Sequence, residues 1–573
     1  MKSRCAQTSA PRSGARFSWL LPVLVLAAPG LAAPGPSTPD RLLLINGTVH
    51  TADPRMPRAE AVLAEAGRIV YVGTREEARK RAGRDARTLD LRGLTVFPGF
   101  TDSHAHLQGI GERELSFELE GTTSLDDLKR RLREQHRKAP PGQWIVGRGW
   151  IESRWTPQAF PTKADLDEVV GDRPVVLERA DGHAIVVSSR ALALAHIDGS
   201  TSDPPGGKIL KDAGGGPTGM LVDAAMDVVW GLVPEPTEQE LLRQLETGAG
   251  RSVRRGWTQL QIAGNSFAEV DRLCRLYAER RIKLRLYDAI GGPGADLERL
   301  FAEGPVDRCG DRLTVRAIKL YIDGALGSRG AMLLAPYSDA PETSGLFRNE
   351  PESLLPILIV ALKRGLQVET HAIGDRGNRT MLDLYEQAFA TVPAAERKVA
   401  QPRWRIEHAQ VLTAADIPRF AKLGVIASMQ PSHAISDLFF APSRLGPERI
   451  RYAYAWRALL DSGATVVAGS DAPVEKGDPI DEFYAAVVRK SRDGFADASW
   501  HREQRVTRDE ALTMLTRAPA FAAFQENERG SIEAGKQADF TILSADLMSI
   551  PEDQIQSTQV VMTIIAGEVV YKR

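Results

Sequence analysis

The alternation of apolar and polar residues changes character along the chain. Near the start, RLLLINGTVHT, AVLAEAGRIVYVG and RTLDLRGLTVFPG carry short β-branched runs punctuated by Gly and Asn, the texture of hairpins. GSIEAGKQADFTILSAD and VVMTIIAGEVVYKR at the far end share that texture. The two ends therefore predict one small composite β-sandwich domain, residues 41–98 with 521–573, that brings the termini together. Between them the strand-like runs FPGFTDSHAH, GWTQLQIAG, IKLRLYDAI, LTVRAIKLYIDG, LQVETHAIGD, RWRIEHAQV, GVIASMQPSH and ATVVAGSDAPVE alternate with stretches at helical spacing, such as PESLLPILIVALKRG. That rhythm predicts an α/β fold whose parallel sheet closes into a (β/α)8 TIM-like barrel over residues 99–520. From about 114 to 230 it breaks into mixed and glycine-rich segments. This is an expected insertion over the barrel mouth, where loops decide what enters.

The first 33 residues follow another order: Lys2, Arg4, Arg12 and Arg16 precede an apolar run from Phe17 to Ala28, and small residues follow. This is the order of a signal peptide, cut near Ala33, and it implies export to the periplasm or the medium. The run is too short, and interrupted by Pro22, to serve as a stable membrane anchor. Of the three cysteines Cys5 would leave with this segment; Cys274 and Cys309 are left either as a disulfide or as two small buried hydrophobes. The 43% hydrophobic and 26% charged content describes an ordinary globular protein, and a net charge of -1 provides no field for gathering nucleic acid. The expected partner is a small-molecule substrate, and a homo-oligomer is compatible with the sequence.

Chemistry enters at the strand ends. In TDSHAH, His104 and His106 are two residues apart on a predicted strand and so point to one side, toward the barrel mouth. Later strands end in Lys319, His371, His408 and Asp471. Each has an ordinary reading when taken singly: a satisfied core histidine, a solvated lysine, an aspartate capping a helix. Six metal-competent groups on five strand ends converging on one axis do not arise from independent structural needs, so a shared divalent metal site is expected. No GxGxxG or GxxxxGK follows a predicted strand, which disfavours nicotinamide or nucleotide chemistry.

These motifs, with GRGW, DGHAIVVSSRALALAHI, IKLYIDGALGSRGA, THAIGDRG, SMQPSH, RLGPERIRYAYAWRALLDSGATVVAGSDAPVE and GSIEAGKQADFTIL, resemble the amidohydrolase superfamily over nearly the whole mature chain. The likeness is to its YtcJ-like or family-3 branch, which includes the N-substituted formamide deformylases. Gly330 and Trp257 stand where relatives often differ. The resemblance implies that His104 and His106 bind one metal and that His371 and His408 hold a second or complete the first. Lys319 matches a position that is often carbamylated; an unmodified ammonium has no lone pair for a metal, so ligation there requires the CO2-derived carbamate. One or two ions, with zinc expected, would activate water and polarise a carbonyl. Asp471 would then move the water proton to the departing nitrogen of a linear amide, N-formyl group or cyclic amide. His183 and His433 are candidates for orienting the substrate carbonyl, Arg148 and Trp150 for lining the insertion's inner face, and Asp375 for a supporting or a surface position. The same site could hydrolyse an ester, lactone or carbamate, and the fold could also serve a non-catalytic binding or regulatory protein.

Overall fold

In the computed structural model the chain is described over residues 41–152, 155–179, 184–204, 207–491 and 500–573, and these belong to one compact unit. The expected signal segment, 1–33, and His183 lie outside the described residues.

Eight parallel strands make the central sheet: β1 Phe100–Ala105, β2 Trp257–Asn265, β3 Arg285–Gly291, β4 Leu313–Tyr321, β5 Gln367–Ala372, β6 Arg405–His408, β7 Ile426–Met429 and β8 Val466–Ala468. Each pairs with its neighbour in sequence order. The sheet closes beyond the end of β8, where Ala105 bridges Ala472, the Asp471 amide donates to the His104 carbonyl at 2.7 Å, and the His106 amide donates to the Ala472 carbonyl at 2.8 Å. This is the expected TIM-like barrel. Period-two alternation sorts its residues: Gln367, Glu369 and His371 of β5 share one face, while Val368 joins the apolar core on the other.

The barrel interior is thin in hydrocarbon. A small layer of Tyr287, Ala289, Ala317 and Ala523 is its apolar part, and a short helix, Arg517–Ala522, closes the floor. Gln261 donates to the Pro519 carbonyl at 3.0 Å and Gln367 to the Ala522 carbonyl at 2.8 Å, so strand side chains satisfy the carbonyls of this plug.

Two further sheets form the terminal sandwich. One is four-stranded; the other is six-stranded and joins both ends of the chain, with Phe540–Leu543 antiparallel to Thr95–Pro98. Leu42, Leu44, Val62, Val96, Phe540 and Ile564 fill the core between them. Arg285, at the start of β3, reaches into this domain: its Nε donates to Asp539 at 2.8 Å and Nη1 to Asp311 at 3.2 Å. Between β1 and β2 a separate six-stranded sheet runs from Phe117–Glu118 to Pro217–Asp223 and has its own cores, one around Leu128, Trp150 and Val175 and another around Val176, Ile185 and Leu221. Cys274, on the helix Phe267–Ala278, is joined to Cys309 by a disulfide, Cα–Cα 5.2 Å. No helix among the described residues is long and apolar enough to cross a membrane.

Candidate metal centre

Where β1 and β8 meet, the backbone is forced close. A Cβ at Gly469 would lie 2.5 Å from the His104 amide nitrogen, so only glycine lets the strands approach there. Two residues on, Asp471 sits at φ 56°, and His408 at φ 73°. Simple alternation would turn His408 outward with Ile406; the left-handed backbone returns it to the axis. Such conformations cost energy for non-glycine residues and cluster at functional sites.

Around Asp471 the donors fall into two sets. His104 Nε2 and His106 Nε2 lie 3.5 and 3.1 Å from Asp471 Oδ1, while His433 Nε2 lies 3.6 Å from Oδ2. His104, His106 and Asp471 offer one group of donors within 4.8 Å of each other, and His408, His433 and Asp471 a second. Zinc–ligand bonds of about 2.0–2.1 Å put neighbouring tetrahedral donors roughly 3.3 Å apart, which these separations match. The second ring nitrogens are occupied elsewhere. His104 Nδ1 pairs with Glu407, and His408 Nδ1 with Gln430 Oε1 at 2.8 Å, which fixes each ring and frees its Nε2. His433 Nε2 is buried without a hydrogen-bond partner, the open donor that a cation would fill.

Electrostatics favour the ligating forms. Burial, reinforced by the Lys319 charge, drives His104 well below its usual pKa and His371 to about 3, so both rings are neutral. Burial also pushes His408 well below. Burial alone would raise Asp471, but the hydrogen bond from His106 and the nearby His104 and His433 outweigh it and hold the carboxyl well below the carboxylate range. Lys319 is buried and pulled down by burial, against the charges of Glu407, Asp471 and Glu369; its Nζ lies over the Tyr321 ring at 5.0 Å. Glu369 rises to about 7 through burial, opposed by Arg405.

Of the six expected ligands, four thus fall into the two donor sets. His371 belongs to neither: its Nε2 faces the Gly324 carbonyl at 3.4 Å, though its ring packs on His408 at 4.6 Å. His433 joins the second set. Trp150 is fully buried in the insertion's core, its indole N–H donating to the Leu177 carbonyl at 2.8 Å and its ring beside Trp155, which leaves it no face for a ligand. Arg148 is half-buried on the same strand, Ile145–Trp150. Asp375 is buried and accepts from the Leu334 amide at 2.8 Å, tying down the loop after β4. Sequence reading missed Glu407, Glu369 and Asp102. The last accepts from the Ser470 amide at 2.8 Å and from Ser470 Oγ, tying β1 to the Asp471 turn. A charged residue two positions from another charge within an apolar strand, as in RIEH, was the available signal for Glu407.

A model of the amidohydrolase family matches residues 87–571. YtcJ of Bacillus subtilis is 34% identical over 538 residues, covering 92% of this chain and 98% of that protein. The N-substituted formamide deformylase of Arthrobacter pascens is 30% identical over 546 residues, 93% of this chain and 98% of that one. Among solved structures, an uncharacterized metal-dependent hydrolase from Pyrococcus horikoshii superposes with a TM-score of 0.74 at 27% identity, covering 90% of this chain and 99% of that chain.

Proposed function

The chain belongs to the amidohydrolase family and is a metal-dependent hydrolase, and on that premise we propose that it cleaves a non-peptide C–N bond in a linear amide, an N-formyl group or a cyclic amide. The observation that carries this reading is the convergence of two donor sets on the two oxygens of one ionised, buried aspartate. The likeness to the deformylase supports a C–N bond over an ester.

In this reading His104, His106 and Asp471 would hold one divalent cation and His408 and His433, with Asp471, another, zinc being the expected ion. When bound, such a cation supplies Lewis acidity to a carbonyl and lowers the pKa of water toward 7. Asp471 accepts the proton released by the attacking water and returns it to the departing nitrogen, which leaves as an amine. Glu407 and Gln430 hold the His104 and His408 rings in the tautomer that directs Nε2 inward. Lys319, buried beside Glu407 and Glu369, would join the ligands as its CO2-derived carbamate and otherwise acts as their charged neighbour. His183 is assigned to the substrate carbonyl through the DGHAIV motif alone.

Export forms part of the proposal, supported by the order of residues 1–33 and by the Cys274–Cys309 disulfide, a bond that persists in oxidising compartments. The test combines elemental analysis of purified protein with matched amide and ester substrates. Two equivalents of metal per chain, falling to one in His433→Ala, and preference for the amide are expected. A chain that retains no metal after loading would overturn the hydrolytic site, and ester preference would overturn the bond assignment.

A further inference from the structure

At the opposite end of the barrel a second cleft, of about 680 Å³, opens between the plug helix, the start of β8 and the segment leading into the sandwich. One wall is apolar, formed by Val466, Met514 and Phe521. The other carries Arg529, which is only 8% exposed and whose Nε and Nη1 have no hydrogen-bond partner.

Arg529 is short of counter-charge because its neighbours are already engaged. Asp539 and Asp311 are taken by Arg285. The lining glutamates are held by other cations: Glu510 by Arg457 at 2.7 Å, Glu526 by Arg403 at 2.7 Å, and Glu533 by Arg55 at 2.6 Å and Lys536 at 3.0 Å. Burial, with the Arg285 charge beside it, pulls the Arg529 pKa down to about 10. Arg517 is exposed on the lining and makes no ion pair among the described residues. Asp509 is the lining acid that remains unpaired among those residues, and it too is exposed.

We propose that this cleft binds a small organic carboxylate with an apolar body, its carboxylate on Arg529 and Arg517 and its hydrocarbon against Met514, Phe521 and Val466. A guanidinium N–H is a strong donor to a carboxylate; Arg529 Nε and Nη1 are sealed from solvent, so the carboxylate meets Arg529 through Nη2 and Arg517 through its exposed guanidinium. The surrounding glutamates disfavour a multiply charged anion such as phosphate, and the apolar wall gives a bare inorganic ion nothing to cover. The site lies at the amino-terminal ends of the strands, away from the donors around Asp471, and does not depend on the reaction proposed there.

The probe is hexanoate, titrated calorimetrically into the metal-loaded protein, with inorganic phosphate and chloride at matched ionic strength as controls. Saturable 1:1 binding of hexanoate, absent for both controls, is expected. Arg529→Gln should weaken it at least about 10-fold, as expected for loss of a charged hydrogen-bonding group. Because that change alters a buried residue, Thr513→Phe is measured in parallel: it fills the apolar side, leaves Arg529 in place and should abolish binding in a protein whose thermal midpoint is unchanged or raised. Carboxylates also ligate metals. Binding that survives both substitutions therefore lies at the metal centre and overturns the proposal, as does phosphate binding equal to hexanoate, or no saturable binding at all.

Discussion

The two ends of the barrel use the same kinds of side chain for opposite purposes. At the floor, Gln261 and Gln367 donate to plug-helix carbonyls and Arg285 is spent on Asp539 and Asp311. At the mouth, His433 Nε2, one oxygen of Glu407 and one of Glu369 are buried without hydrogen-bond partners, and His408 and Asp471 hold left-handed backbone. A buried polar group left open costs stability, and a paired one gives little to a ligand. The floor fixes the barrel; the mouth holds its donors ready. Arg529, with two buried nitrogens unpaired, is an exception at the floor.

The contrast can be broken at either end. The largest expected effect is at the mouth: Asp471→Asn should lower kcat roughly 10²–10⁴-fold, the range for a lost proton-transfer group, while circular dichroism and the unfolding midpoint stay near the parent's. At the floor the signs reverse. Arg285→Ala strands the buried Asp539 carboxylate and should cost about 3–5 kcal/mol in urea unfolding, with kcat per folded molecule retained. Loss of activity without loss of stability there would dissolve the distinction.

Smaller changes sharpen it. Glu407→Gln removes the charged partner of His104 Nδ1 and should weaken metal affinity about 10–100-fold, read by competition with a chelator. A further change concerns Asp437, in the loop after β7, raised to about 6 by burial, which His433 and a hydrogen bond from Tyr454 oppose. Its unfolded value is about 3.9. A raised carboxyl contributes stability that is full below the unfolded value and lost as pH rises through the folded one. The stability of the parent relative to Asp437→Asn should therefore fall between about pH 4 and 6, by up to about 3 kcal/mol, and then level off.

Sequence patterns revealed the barrel because strand–helix alternation is a local signal, and His104, His106, His408 and Asp471 because each ends an apolar run. Other features depend on geometry that no local pattern encodes. His408 reaches the axis only through its φ of 73°, and His433 joins Asp471 only because β7 and β8 are neighbours. Glu407 and Arg405 read as one polar face of a half-exposed strand until closure turns that face inward. Trp150, in the GRGW run, serves the insertion's core. Cys274 and Cys309 could be paired only once β2, β3 and β4 had been laid side by side.

The joined termini have a consequence for the order of synthesis. The strand Thr95–Pro98 is made early, yet its partner Phe540–Leu543 emerges near the end; the Phe100 amide meets Thr541 Oγ1 across 441 residues of chain. Until then the first half of the sandwich carries an unpaired strand edge and an uncovered apolar face while the whole barrel is assembled. A ribosome stalled anywhere within the barrel would thus hold a nascent chain with a sticky leading end, and a truncation of the last few dozen residues would unseat the first strands rather than trim the last.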